Sequence, residues 1–122
     1  MTTGRCLCGD ITFTVNTKLT DASVCHCGQC RKQSGHLWAS AVAPLAEVEI
    51  EGPVHWYEAS GRAKRGFCPR CGSFLFWKAH DEDTIGIALG ALHEPTGITL
   101  ERHIFTADKG DYYEITDGLP QR

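Results

Sequence analysis

Three thiols fall within six residues in the run Cys25-His26-Cys27-Gly28-Gln29-Cys30. Thiolates are soft nucleophiles and zinc ligands, and this spacing suits one metal ion. The other four of the seven cysteines make two pairs, Cys6-Leu7-Cys8 near the start and Cys68-Pro69-Arg70-Cys71 far down the chain. Those pairs can close a four-thiolate site without help, which leaves the central triplet with three protein ligands and an open fourth position. Four protein ligands mark a structural zinc, whereas three and an exchangeable one mark a catalytic zinc. The grouping therefore predicts two zinc ions per chain. A structural ion sits on Cys6, Cys8, Cys68 and Cys71, and a catalytic ion sits on Cys25, Cys27 and Cys30.

The rival readings of the thiols are disulfides and buried free cysteines. The cysteine count is odd, and the opening Met1-Thr2-Thr3-Gly4-Arg5-Cys6 lacks the apolar run of a secretory signal. CxC and CxxC are chelating spacings, so metal binding in a reducing, cytoplasmic compartment is expected. A histidine could still close the second site. In an extended backbone His26 points away from the face shared by Cys25 and Cys27, which leaves His36, His80, His93 and His103 as candidates. His80-Asp81-Glu82 matches half of a zinc deaminase signature, but the required P-C-x-x-C does not follow it.

The formal charge of -3 disfavours a nucleic-acid surface. No stretch approaches the roughly 18 apolar residues of a membrane span. Basic residues cluster as Arg31-Lys32 and as Arg62, Lys64, Arg65 and Arg70. A small anion could use such a patch, although each residue alone reads as part of a solvated face.

The elements that must hold these residues are mostly short strands, and the 122 residues fit one domain, 1–122. Ile11 to Val15 alternates apolar and hydroxylic residues, the pattern of a half-buried strand. Further strands are expected at 23–27, 37–42, 48–51, 55–58, 73–78, 84–89 and 100–105. Residues 112–115 could pair or pack near the end. Gln29 to Ser34 is expected to make a helical turn stopped by Gly35, too short to stand alone. Gly72 permits the sharp exit from the Cys68–Cys71 turn. The expected fold is mainly β, with about nine short strands.

CxCG near the start, then CHCxxC, then FCPxCG leading into an apolar strand, resembles the glutathione-dependent formaldehyde-activating enzyme family, which includes relatives of centromere protein V. Gly90-Ala91-Leu92 with Pro95 looks like that family's late motif. His103-Ile104-Phe105 and Tyr113-Glu114-Ile115 look like its closing segment. The resemblance implies a β-tent fold of small stacked antiparallel sheets pinned by zinc, and the same division of the seven cysteines into a structural and a catalytic set. It implies a carbon–sulfur lyase or synthase that joins formaldehyde to glutathione. The alternative class is a zinc module without catalysis that binds a protein partner. An exchangeable fourth ligand beside a cleft lined by Arg31, Lys32 or Arg62 would favour the enzyme.

Overall fold

The computed structural model describes residues 1–122. Ten strands form two sheets. β1 (Thr2–Arg5), β2 (Thr12–Val15) and β5 (Val48–Glu51) make an antiparallel sheet in the order β1-β2-β5. The larger sheet runs β10-β3-β4-β9-β8-β7-β6. Its strands are β3 (Thr20–Cys25), β4 (Trp38–Pro44), β6 (His55–Glu58), β7 (Ala63–Phe67), β8 (Phe74–Ala79), β9 (Thr84–Ala88) and β10 (Arg102–Ile104). All its pairings are antiparallel except β10 with β3. The mainly β expectation holds, and no helix is long and apolar enough to cross a membrane.

The alternation in β2 works as read. Phe13 and Val15 are buried while Thr12 is exposed. The ring of Phe13 meets Phe76 of β8 edge to face at 5.3 Å, which ties the small sheet to the large one. Around them lies a cluster of 14 buried residues drawn from both sheets, including Val15, Ala41, Phe76 and Ile87. Cys6 and Cys68 belong to this cluster. A second cluster of four buried residues, Cys25, Cys30, Trp38 and Ala88, stands apart from it.

Two strands escaped the sequence pattern. β1 reads Thr-Thr-Gly-Arg and has no apolar face, yet it pairs with β2 from Thr2↔Val15 to Arg5↔Thr12. Backbone pairing, not side-chain alternation, makes it a strand. A Cβ at Gly4 would lie 2.3 Å from the Phe13 ring and 2.5 Å from the Ala91 carbonyl oxygen, so only glycine permits this approach. β7 carries Lys64 and Arg65 and is recognisable only through its pairing with β6 and β8. Residues 112–115 form no strand; Tyr113 packs on the rings of His26 and His36 instead.

The expected short helix is α1 (Gly28–Ser34). Cys27 caps its start, because the thiol accepts from the Cys30 N–H. Gly35 ends it in the left-handed region at φ 90°, donating its N–H to the Arg31 carbonyl.

Candidate metal centres

The first thiol cluster is assembled from two distant turns. After β1 the chain wraps around one sulfur, and the Ile11 N–H donates to Cys6 Sγ at 3.3 Å. At the end of β7 the Cys71 N–H points at Cys68 Sγ at 3.5 Å, and the Gly72 N–H closes the turn on the Cys68 carbonyl at 2.8 Å. The four sulfurs of Cys6, Cys8, Cys68 and Cys71 lie within 4.8 Å of one another. Cys8 Sγ is 3.6 Å from Cys6 Sγ and 3.7 Å from Cys68 Sγ. Tetrahedral zinc–thiolate bonds would place sulfurs about 3.8 Å apart, so the cage has the size of the ion. Without a cation the cluster divides its charge unevenly. The Ser73 hydroxyl and nearby backbone N–H groups bring Cys71 down to about 5. At Cys8 the bond to the Asp10 backbone acts downward, but burial and the neighbouring thiols outweigh it and push Cys8 up to about 12.

The second cluster is local. Cys25 ends β3, opposite Trp38 of β4 on one side and Ile104 of β10 on the other. Cys27 caps α1, and Cys30 lies within it with its N–H donating to Cys27 Sγ at 3.3 Å. The three sulfurs lie within 4.8 Å of one another, and no histidine or carboxylate joins them. Three thiols in this arrangement could hold one zinc and leave room for an external ligand. Hydrogen bonding with Cys25, followed by the Arg65 guanidinium, brings Cys30 down to about 6. The same shared bond, together with burial, pushes Cys25 up.

Each histidine left open by the sequence is engaged elsewhere. His36 stacks edge-on against Tyr113, His80 pairs with Glu58 at 2.7 Å, and His93 bonds Thr3 at 2.8 Å. His103 Nδ1 meets His26 Nε2 at 2.8 Å, and its Nε2 meets Asp117 Oδ2 at 2.8 Å. His26 turns away from the thiols, fully buried, and its Nδ1 bonds the Tyr113 hydroxyl. With both imidazoles neutral, the acceptor-only carboxylate sets one direction along the chain of bonds. His103 donates to Asp117, His26 donates to His103, and Tyr113 donates to His26. Burial, then the facing His103, His36 and Lys109, push the His26 ring below its ordinary value.

The basic patch disperses in the fold. Arg70 pairs with Asp10 at 3.1 Å, Lys64 lies over the Trp56 ring, and Arg62 and Lys32 are exposed. Arg65 is the exception, only 4% exposed, with Nη1 donating to Cys30 Sγ at 3.5 Å and to Gln33 Oε1 at 3.3 Å. The cation bonded to the triplet is Arg65, while Lys32, close to it in sequence, faces solvent. Reading residues 63–67 as a strand would have placed Arg65 on the face of the apolar Ala63, two residues away. Nothing local in the sequence signals the partnership of His26 with Tyr113 and His103, or of His103 with Asp117.

The comparisons agree with this architecture. A Rhodobacter sphaeroides protein of known crystal structure superposes with a TM-score of 0.62 over 80% of this chain and 90% of that one, at 24% identity, which bears on the fold alone. A Schizosaccharomyces pombe protein described as an uncharacterised lyase is 27% identical over 116 residues, covering 93% of this chain and 85% of that protein. The sequence profile of the glutathione-dependent formaldehyde-activating enzymes matches residues 1–108, which contain all seven cysteines, and the chain belongs to that family.

Proposed function

We propose that this chain is a zinc-dependent carbon–sulfur lyase or synthase of the cytoplasm that joins a thiol to an aldehyde at Cys25, Cys27 and Cys30. Glutathione and formaldehyde, for which the family is named, are the first pair to test. The observation that carries the reading is the contrast between a four-sulfur cage and a three-sulfur cluster that no other protein ligand completes. A zinc ion at the triplet would supply a Lewis acid and a position at which an incoming thiol gives up its proton.

The chain's own groups do the remaining work. Cys25, Cys27 and Cys30 leave one net negative charge after pairing with a divalent cation, and the buried Arg65 offsets it through Cys30. Less charge at the triplet lowers the repulsion felt by an anionic thiol such as glutathione. The hydrogen-bonded His26 holds the turn between Cys25 and Cys27 from behind. In the reaction the thiol sulfur adds to the carbonyl carbon, a C–S bond forms, and the C=O bond becomes a C–OH. The thiol proton ends on that oxygen, so nothing is oxidised or reduced.

Cys6, Cys8, Cys68 and Cys71 hold a second, structural zinc in this account. Elemental analysis of protein purified under reducing conditions is expected to give two zinc ions per chain, and one or none would contradict the scheme. The rate test is the formation of S-hydroxymethylglutathione from glutathione and formaldehyde, corrected for the spontaneous reaction. Acceleration that is lost in Cys30→Ser supports the proposal. No acceleration by the two-zinc protein would overturn it and leave the partner-binding zinc module ahead.

A further inference from the structure

Arg31 follows Cys30 on α1 and is half-buried. A basic residue in the last turn of a helix ordinarily turns toward the C-terminal carbonyls. Arg31 turns the other way. Its Nη2 lies 3.7 Å from where a Cβ on Gly28 would stand, so the guanidinium lies beside the turn that joins Cys27 to Cys30.

Nothing in the chain accepts from this guanidinium. Arg70 and Arg102 pair with carboxylates, and Arg65 donates to Cys30 and Gln33, but Arg31 has no carboxylate, carbonyl or sulfur partner. Its Nε is buried without a partner. The two Nη groups are not among the buried polar atoms, so they reach the surface. The inner edge of the fork is thus held against the protein while its outer edge is free. That outer edge offers parallel N–H groups that match the two oxygens of one carboxylate.

The triplet with a divalent cation carries one net negative charge, so by itself it favours a neutral thiol over an anionic one. A free guanidinium on the same turn reverses that preference. We infer that Arg31 binds a carboxylate of the thiol partner and so selects carboxylate-bearing thiols over uncharged ones at the triplet. This rests on the proposed open position at Cys25, Cys27 and Cys30, and it names a residue that sorts the thiols entering there. Arg65 is only 4% exposed, and its Nη1 is already engaged by Cys30 and Gln33. Lys32 is exposed and serves as the control for charge alone.

The test compares 3-mercaptopropionate with 3-mercapto-1-propanol, thiols of equal chain length that differ in charge. Each is titrated into protein carrying cobalt at the triplet and zinc at the four-cysteine cage, and the visible spectrum reports binding. The carboxylate is expected to bind about tenfold more tightly than the alcohol. Arg31→Met and Arg31→Gln should each remove that preference and leave affinity for the alcohol within about twofold, whereas Lys32→Met should keep the preference. Metal content and the melting temperature check that each variant is folded. The zinc-loaded wild type gives a second measurement that needs no substitution. There the NMR signals of the Arg31 guanidinium should shift with the carboxylate and not with the alcohol. A preference absent from the wild type, one kept in the Arg31 variants, or one lost equally in Lys32→Met overturns the inference, as does an Arg31 signal unmoved by the carboxylate. Those results leave the open position standing, because the alcohol still changes the cobalt spectrum. If neither thiol changes it, the open position itself fails and the assignment falls with it.

Discussion

Both thiol clusters contain a Cys-x-x-Cys turn in which the N–H of the second cysteine points at the sulfur of the first. They differ in what that turn is joined to. Cys68 and Cys71 meet Cys6 and Cys8 across some sixty residues of chain, inside a cluster of 14 buried side chains. Cys27 and Cys30 meet only Cys25, two and five residues back, at a buried cluster of four that holds Cys25 and Cys30. A metal that closes a long loop inside the main core acts on the stability of the whole domain. A metal held by one turn at a satellite cluster can exchange ligands without unmaking the fold. In the proposed reading the same chemical unit serves once in folding and once in reaction.

The largest expected effect breaks this contrast directly. Cys68→Ser or Cys71→Ser should unfold the chain or leave it insoluble, since structural zinc contributes on the order of 10 kcal/mol. Cys30→Ser should lose only the second zinc and keep most of the thermal transition. Equal losses in melting temperature would mean that the triplet is structural too. Chelator competition offers a graded version, with one zinc leaving early and the other leaving with unfolding.

A smaller effect is expected at Arg65. A hydrogen bond from a charged donor to a buried thiolate is worth about 2 kcal/mol, so Arg65→Met should weaken zinc at the second site by about thirtyfold. The first site should be untouched, and Arg65→Lys should restore part of the loss. Chelator titration at each site reads both. An equal change at the two sites would show a general loss of stability.

The hydrogen-bonded chain behind the triplet gives a pH signature. Burial keeps His26 neutral in the folded state at pH values where the unfolded chain takes up a proton, because its folded pKa lies below the ordinary 6.5. Stability from this source is complete above about pH 6.5 and is lost as the pH falls toward the lowered value. His26→Gln should be less stable at pH 7.5 and show a shallower loss between pH 6.5 and 5.5, measured by urea midpoints with zinc in excess. The smallest effect belongs to Tyr113→Phe, which removes one hydrogen bond worth about 1 kcal/mol. A parallel slope in wild type and His26→Gln would detach the pH dependence from this ring.

How far the sequence reached follows the same division. Local signals were legible. The alternation of β2, the stop of α1 at Gly35, and the grouping of the thiols all lie within a few residues. Features made by distant backbone were not. β1 has no apolar face and exists because β2 pairs with it, and Arg65 sat in a basic stretch that reads as solvated until β7 is seen between β6 and β8. The seven-stranded order and the parallel β10–β3 pair depend on crossovers that no local pattern encodes. The bond from Tyr113 to His26 spans 87 residues and left no trace in either segment.

The measurement closest to the central claim is a glutathione titration of protein carrying cobalt at the triplet and zinc at the four-cysteine cage. Cobalt reports its ligands through visible absorption, and the triplet is expected to accept an external thiol. The account predicts a saturable change in the spectrum, weakened by added salt and by Arg65→Met, with no change when cobalt occupies only the four-cysteine cage. A triplet spectrum that stays constant throughout the titration would contradict it.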